Sequence, residues 1–463
     1  MTDASLRADV DAVDLPAIWK QSNRSARRVA AWILWLLFVG NAAIIVWLWG
    51  QGGGISAVKD PATFFTSVGR VTGLLSAYLA LVQVLLLARL PFLERLVGFD
   101  SLTIWHRRNG KAVLYLVVAH VVFITAGYAM LDKLSILGEA TSLLGNYPGM
   151  VAATIGTALL IVVAVGSFVI VRSRLPYEAW YAVHLTAYAG IALAWVHQIP
   201  TGNEFILRPA ATAYWTTLYV ATWVFLVMFR VAQPIFRAFW HRMRVAEVIV
   251  EGPNVVSLHI TGRRLERLQV RAGQFFLWRF LSRGRWWESH PFSLSESPDG
   301  TSFRITVKAS GDFTRELGGL RPGTMVVAEG PFGVFTDAVR RRERVALIAG
   351  GIGITPVRAL AEEMAGDVVV IYRAIREEDI VFRAELDQLA LERGLTIHYV
   401  IGHHSAPKGE RIMSPEHLQE LVPDIVERDI YICGPPGMAR FLERNVRAAN
   451  VPRSHIHIER FAL

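Results

Sequence analysis

Four histidines lie inside long apolar runs: His106 and His120 in one, His184 and His197 in another. On a helix, a spacing of 14 residues sets two side chains about 21 Å apart along the axis and about 40° from alignment. His106 and His120 therefore share a face at two depths. The 13-residue spacing of His184 and His197 leaves about 140° on an ideal helix, so a tightened or kinked turn is expected between them, near Gly190. If the two runs are parallel helices, His106 faces His184 at one depth and His120 faces His197 at the other. Two facing imidazoles suit the axial positions of a haem iron, and two stacked haems form an electron path. Single buried polar residues are the plain alternative. Four at matching depths are hard to produce by packing alone, and an ionisable residue inside a membrane is a functional hypothesis by default.

A second set of residues lies further along. Arg70 opens another apolar run. It either snorkels to the interface or faces the outer haem, holding a propionate or stabilising a reduced oxygen anion. Val345–Ala349 reads as a buried strand, followed by Gly350, Gly351, Gly353, Thr355 and Pro356 and then a helix with Val357, Leu360 and Met364. Strand, glycine-rich turn and helix form a phosphate-binding arrangement, because glycines let the backbone approach an anion and the helix N-terminus favours it. Punctuation between strand and helix is the alternative. The next strand, Val368–Tyr372, ends in Arg373 with Arg376 nearby. Arginines there suit a 2′-phosphate, where a ribose hydroxyl would call for an acid. That favours NADPH over NADH, against the alternative of solvated surface arginines. A last strand, Ile430–Ile432, runs into Cys433, Gly434 and Pro435, where Cys433 also reads as a small buried residue.

The elements that must position these residues follow from hydropathy and charge. The chain has 463 residues, 53% hydrophobic and 19% charged, with a net charge of +9 and a mean hydropathy of +0.36. Six stretches, 29–50, 66–88, 103–130, 150–171, 178–199 and 211–232, are each long enough to cross a hydrocarbon core of roughly 30 Å. Arg24, Arg27 and Arg28, then Arg89, Arg95, Arg107, Arg108 and Lys111, then Arg172 and Arg174, then Arg230 and Arg237 fall on one side. Lys59, Lys133 and Arg208 are nearly all that the other side holds. The positive-inside rule places the N-terminus and the C-terminal half in the cytoplasm. The basic excess is thus a topological signal, and no nucleic-acid partner is expected. The first apolar run begins too late and runs too long for a cleavable signal. A single cysteine, Cys433, excludes a disulfide scaffold, a Cys-ligated zinc site and a Cys-ligated iron–sulfur cluster.

From about Arg244 the pattern changes. Val245–Val250, Val255–Ile260 and Phe303–Lys308 read as short strands separated by Gly252-Pro253-Asn254 and Pro298-Asp299-Gly300, the spacing of a small β-barrel. From Arg344 strands and helices alternate. The expected architecture is a multi-domain membrane protein: a cytoplasmic segment 1–28, a six-helix transmembrane bundle 29–240, an antiparallel β-barrel 241–340 and an α/β nucleotide-binding domain 341–463.

These motifs resemble, over nearly the whole chain, the NADPH oxidase and ferric reductase family, particularly its compact bacterial members. The C-terminal half resembles the ferredoxin–NADP reductase superfamily. The histidine spacings match the family's signature for two b-type haems, and Arg70 falls where members carry an arginine beside the outer haem. His290-Pro291-Phe292-Ser293 matches the flavin motif. The resemblance implies that Phe292 stacks on the FAD isoalloxazine, Ser293 lies near flavin N5 and His290 meets the pyrophosphate. Gly311-Asp312-Phe313-Thr314 resembles the second flavin-phosphate turn, with Phe313 where Trp is commoner, and Lys308 joins the cofactor-binding candidates. Gly350 to Pro356 resembles the nicotinamide-nucleotide pyrophosphate loop, and Cys433-Gly434-Pro435 the element beside the nicotinamide. Phe461 is the candidate for the aromatic that covers the flavin, although two residues follow it; a final core strand residue is the alternative. Animal oxidases carry a further histidine one turn beyond His120, where this chain has Ile124.

The expected activity is transmembrane electron transfer from cytoplasmic NADPH through FAD and the haems to an acceptor outside a bacterial cytoplasmic membrane. Dioxygen giving superoxide is the leading acceptor. A ferric or cupric chelate is the alternative, and a relay to a periplasmic protein is a third reading. Beyond membrane lipid and the acceptor, no obligatory protein subunit is expected, since the sequence shows neither an EF-hand nor an extension for regulatory partners.

Overall fold

The structure, a computed structural model, describes residues 15–172, 174, 177–282, 286–402 and 412–460. Phe461, the expected flavin lid, lies outside the described residues, as does the first half of segment 1–28. The chain divides into two compact units, Met1–Arg230 and Val231–Leu463.

The first unit is all helix. It runs α1 (Leu15–Trp49), α2 (Pro61–Leu86), the short α3 (Pro91–Val97), α4 (Phe99–Asp132), α5 (Ile136–Asn146), α6 (Met150–Gly166), the single-turn α7 (Val169–Arg172), α8 (Tyr177–Trp195), the single-turn α9 (Gln198–Thr201) and α10 (Pro209–Val227). Apolar side chains face outward along most of these helices, among them Trp32, Leu36, Tyr115, Val122, Val151 and Val162, as a hydrocarbon solvent requires. Close approach is made by small residues. A Cβ on Gly69 would stand 2.7 Å from the Ile124 side chain and 2.8 Å from its backbone nitrogen, so α2 and α4 meet closely there. A Cβ on Gly156 would stand 2.6 Å from the Gly190 carbonyl, so α6 and α8 meet backbone to backbone.

Among the described residues five helical stretches are long and apolar enough to cross a membrane: Val29–Gly54, Pro61–Leu86, Ser101–Asp132, Glu178–Thr201 and Pro209–His241. A sixth exists only if Ile136–Asn146 and Met150–Gly166, bent by 119° at their break, form one span. The expected span 150–171 is thus not one continuous helix. Its last turn closes at Ser167, whose hydroxyl donates to the Val163 carbonyl at 2.7 Å, and the chain restarts as α7.

The second unit opens with α11 (Gln233–His241). Then come β1 (Arg244–Gly252), β2 (Val255–Thr261), β3 (Phe275–Phe280), β4 (His290–Ser293), β5 (Ser302–Lys308), α12 (Asp312–Glu316) and β6 (Val326–Phe332). The strands form two antiparallel three-stranded sheets, β1-β2-β5 and β4-β3-β6. Bridges Arg244–Met325 and Leu294–Ile305 join them into a barrel. Leu258, Ile260, Phe276, Trp278, Phe303 and Ile305 fill it, each from the inward register of its strand.

The α/β lobe follows: β7 (Val345–Gly350), α13 (Ile354–Glu363), β8 (Val368–Ala374), α14 (Arg383–Arg393), β9 (Thr396–Ile401), α15 (Pro415–Leu421), β10 (Asp429–Gly434), α16 (Pro436–Ala448) and β11 (Ile456–Arg460). Its five strands are parallel in the order β11-β10-β7-β8-β9. The near-continuous apolar runs seen in the sequence are buried on both faces, as a helix-covered parallel sheet demands.

Candidate functional site

The four histidines meet in two pairs. The ring centres of His106 and His184 are 6.1 Å apart, and those of His120 and His197 are 6.3 Å apart. Two imidazoles binding one metal at about 2.0–2.1 Å place their ring centres roughly 6 Å apart. Each gap therefore admits one metal atom. Among the described residues no three His, Cys, Asp or Glu side chains converge on a metal position. A pair with no third protein ligand fits a group that brings its own equatorial donors, as a porphyrin does.

The outward nitrogens are oriented from behind. His106 Nδ1 lies 3.1 Å from the Gln83 carbonyl and His120 Nδ1 lies 2.8 Å from the Gly69 carbonyl. A donated Nδ1 proton leaves Nε2 bare for a metal. Asn109 holds Gln83 in turn, donating to its side-chain oxygen at 2.8 Å. A Cβ on Gly73 would overlap the His120 ring, so glycine there is a spatial requirement. Trp180 stacks on His184 with ring centres 5.0 Å apart.

The 13-residue spacing is resolved, but not where expected. Gly190 lies within regular helix and serves the contact with Gly156. The break comes at Val196–His197, where α8 ends and His197 caps α9. Thr201 donates to the His197 carbonyl at 2.6 Å, so the side chain is turned back toward His120 by a stop and restart of the helix.

Arg70 does not snorkel. Its side chain is 14% exposed and pairs with Glu204, which is 2% exposed. Nε donates to Glu204 Oε1 at 2.9 Å, and Nη2 donates to the Gly52 carbonyl at 2.8 Å. Glu204, Gly69, Gly73 and Gln83 were not singled out in the sequence. The four-residue spacing of Gly69 and Gly73 is the signal that could have found two of them. Glu204, an acid in a short connection, carries none.

In the second unit, β7 and β10 lie side by side while their connections leave in opposite directions along the sheet. That is the switch point where open α/β sheets bind ligands. Gly350 ends β7 and Gly434 ends β10, their backbones in contact. Gly351 holds a φ of +54°, and a Cβ on Gly353 would overlap the Cys433 carbonyl. Thr355 shapes the same loop by donating to the Ile352 carbonyl at 3.0 Å. Pro356 is buried in the first turn of α13. Cys433 is fully buried in the sheet core; burial, with the Glu459 carboxylate nearby, pushes its thiol up, so it stays protonated. Pro435 caps α16. Arg373 is partly buried and donates to the Ala374 carbonyl, while Arg376 is exposed and pairs with Glu378 at 2.6 Å and Asp379 at 3.4 Å.

The barrel candidates gather at one edge. β4 carries His290, Pro291, Phe292 and Ser293. The rings of His290 and Phe313 stack with centres 3.8 Å apart, and those of His290 and Phe292 lie 6.4 Å apart. Ser293 is buried. Gly311 caps α12, and Thr314 accepts from the Ser310 and Gly311 amides at 2.9 Å; Asp312 is exposed beside Arg315. Lys308 lines a small cleft together with Gly351 and Ile352, so a barrel residue and a loop residue face one space.

The two lobes are joined by a partly buried ion network. Arg304 of β5 makes two 2.9 Å hydrogen bonds to Glu385 of α14. Arg358 of α13 reaches the same carboxylate at 2.8 Å and the Ser295 carbonyl at 3.1 Å. The Ser297 amide donates to Glu362 at 2.7 Å.

Three family models match the chain in succession. Residues 72–195 match the ferric reductase like transmembrane component, 240–335 an FAD-binding domain and 347–444 an oxidoreductase NAD-binding domain. The order of the three matched domains is that of the NADPH oxidase and ferric reductase architecture. A match to a transmembrane component is thus followed along the chain by matches to FAD- and NAD-binding domains.

Curated relatives to which the chain is similar include reductases that match about a third of it. The chain is 30% identical over 164 residues to NADH-cytochrome b5 reductase 1 of Laccaria bicolor, covering 32% of this chain and 53% of the relative. It is 27% identical over 187 residues to ferredoxin–NADP reductase B of Sorangium cellulosum, covering 37% and 77%. The match spans about half the length of the cytochrome b5 reductases. Among solved structures, the FAD/NAD-binding domain of a Vibrio cholerae nitric oxide dioxygenase is 22% identical, covering 48% of this chain and 98% of that chain with a TM-score of 0.39. The cytochrome b5 reductase domain of Ulva prolifera nitrate reductase is 18% identical, covering 47% and 97% with a TM-score of 0.41.

Proposed function

We propose that this protein carries electrons from cytoplasmic NADPH, through FAD and two b-type haems, to dioxygen on the opposite side of a bacterial cytoplasmic membrane, giving superoxide. The observation that carries this reading is the pair of histidine gaps, 6.1 and 6.3 Å between ring centres, with His106 and His120 on α4, His184 on α8 and His197 at the break that follows it. When bound, flavin takes a hydride and passes electrons singly, and haem iron exchanges them one at a time.

The residues of this chain do the rest. Gln83 and Gly69 fix the tautomers of His106 and His120, and the helix restart at His197 turns that ring inward. Gly351 and Gly353 let the backbone approach a pyrophosphate, and Arg373 and Arg376, at and just after the end of β8, are the residues assigned to a 2′-phosphate on their charge. His290, Phe292 and Ser293 present a basic group, an aromatic ring and a hydroxyl along one strand edge, the order the flavin motif needs. Arg304 and Glu385 keep the lobes in register so that flavin and nicotinamide can stack.

A ferric or cupric chelate is the second reading, favoured by the match to a ferric reductase like component. Purified protein with NADPH separates the two. Oxygen uptake with cytochrome c reduction sensitive to superoxide dismutase is expected. Anaerobic reduction of ferric EDTA at an equal or higher rate, with negligible oxygen uptake, would replace dioxygen by the chelate. Absence of haem from the purified protein would overturn both readings.

A further inference from the structure

We infer that Glu204 is a positioning and charge-setting residue for the outer of the two haem sites, an inference that rests on the histidine pairs holding haem. The residues of the upper level and of the ion pair come from the same two segments. Gly69 accepts from His120, and the next residue, Arg70, turned about 100° around α2, holds Glu204. His197 begins the pinned stretch that ends at Glu204: the Gly202 amide donates to the Gln198 carbonyl at 3.0 Å, and Gln198 accepts from Trp215 of α10 at 2.8 Å. The Arg70–Glu204 pair therefore clamps the segment that carries His197 to the helix that orients His120.

The pair also sets the charge of that level. Arg70 alone would leave a largely buried cation next in the chain to Gly69, whose carbonyl meets His120. Glu204, almost fully buried, neutralises it, and the Gly52 carbonyl takes a further N–H. Charges this deep are costly unless paired, and breaking one partner leaves the other uncompensated. A haem has one more positive charge oxidised than reduced, so a nearby buried anion favours the oxidised form and a nearby cation the reduced form. Glu204 thus lowers the outer site's potential by cancelling Arg70, which favours onward transfer to a weakly oxidising acceptor.

The test is a spectroelectrochemical titration of the full-length protein, with haem content measured in parallel. In Glu204→Gln, whose amide oxygen can still accept from Arg70, two haems per chain are expected, with one midpoint shifted upward and the other unchanged. Arg70→Gln should shift the same midpoint downward, and the double variant should return toward the original value. Both midpoints unchanged in Glu204→Gln, with two haems bound, would overturn the charge role while leaving the haem reading intact. Shifts of the same sign in the two single variants would also overturn it. A parent protein that binds no haem would remove the reading on which this one rests. Glu204→Ala separates the clamp: loss of one haem there but not in Glu204→Gln supports the tie to the His197 segment, and full haem retention in Glu204→Ala would overturn the clamp.

Discussion

A single methyl group at position 73 is enough to test the upper histidine pair. Gly73→Ala would drive a Cβ into the His120 ring, displace it from Gly69 and cost that level its metal. Half the haem of the parent protein is expected by pyridine haemochrome assay, with the His106–His184 level retained. Asp429, at the start of β10, is a second residue with a definite consequence. Burial alone would raise its carboxyl; His457 at 3.8 Å, the Arg341 amide and His455 at 2.7 Å outweigh that and hold it down to about 2. A depressed folded-state value means stability that is present above the unfolded-state value near 3.8 and lost as pH falls toward 2. Asp429→Asn should therefore lower stability at pH 7, on the order of 2 kcal/mol, and flatten the acid limb of a stability–pH curve between about pH 4 and 2. An unchanged acid limb would show that Asp429 does not set it.

At the scale of elements, the contact of α6 with α8 should matter more than any one ligand. His184 rides on α8 and His197 follows its end, so both levels depend on how α8 packs. Gly156→Leu places a branched side chain where the Gly190 carbonyl already lies. Both haems are expected to be lost together, in contrast to the single loss in Gly73→Ala. The lobe network offers a parallel case. Glu385→Gln replaces the carboxylate that Arg304 and Arg358 share; since that carboxylate is partly exposed, an expected cost of about 1 kcal/mol by urea unfolding follows. The His spacings and the strand–glycine–helix pattern were legible in the sequence because both are local periodicities. The stop at Val196–His197, in place of a kink at Gly190, was not, since it depends on Thr201 and on what packs against α8. The fourth span was read as 150–171; its interruption at Ser167 follows from a side-chain bond to the preceding turn.

For the whole molecule, the expected behaviour is vectorial. Full-length protein in liposomes, given NADPH outside and cytochrome c trapped within, should reduce the trapped acceptor, through superoxide, only when the reductase faces outward. Reduction confined to an external acceptor would place donor and acceptor on one side and overturn the transmembrane path. The arrangement that suggests the path is the coincidence in one chain of histidine pairs at two levels and a parallel-sheet switch point built from Gly350 and Gly434.

The sequence by itself determined which half is apolar, which side its basic residues favour, which four histidines could bind metal and which loops could approach a phosphate. Those are properties of residue type and of short-range spacing, set by hydration and helix or strand geometry. Only the tertiary structure decided that the rings meet at about 6 Å, that Gly69 and Gln83 orient them, and that Arg70 is paired. Glu204 lies 134 residues from Arg70. No local pattern announces a partner at that distance, and the cost of burying a charge becomes visible only once the fold has brought its counter-charge to it.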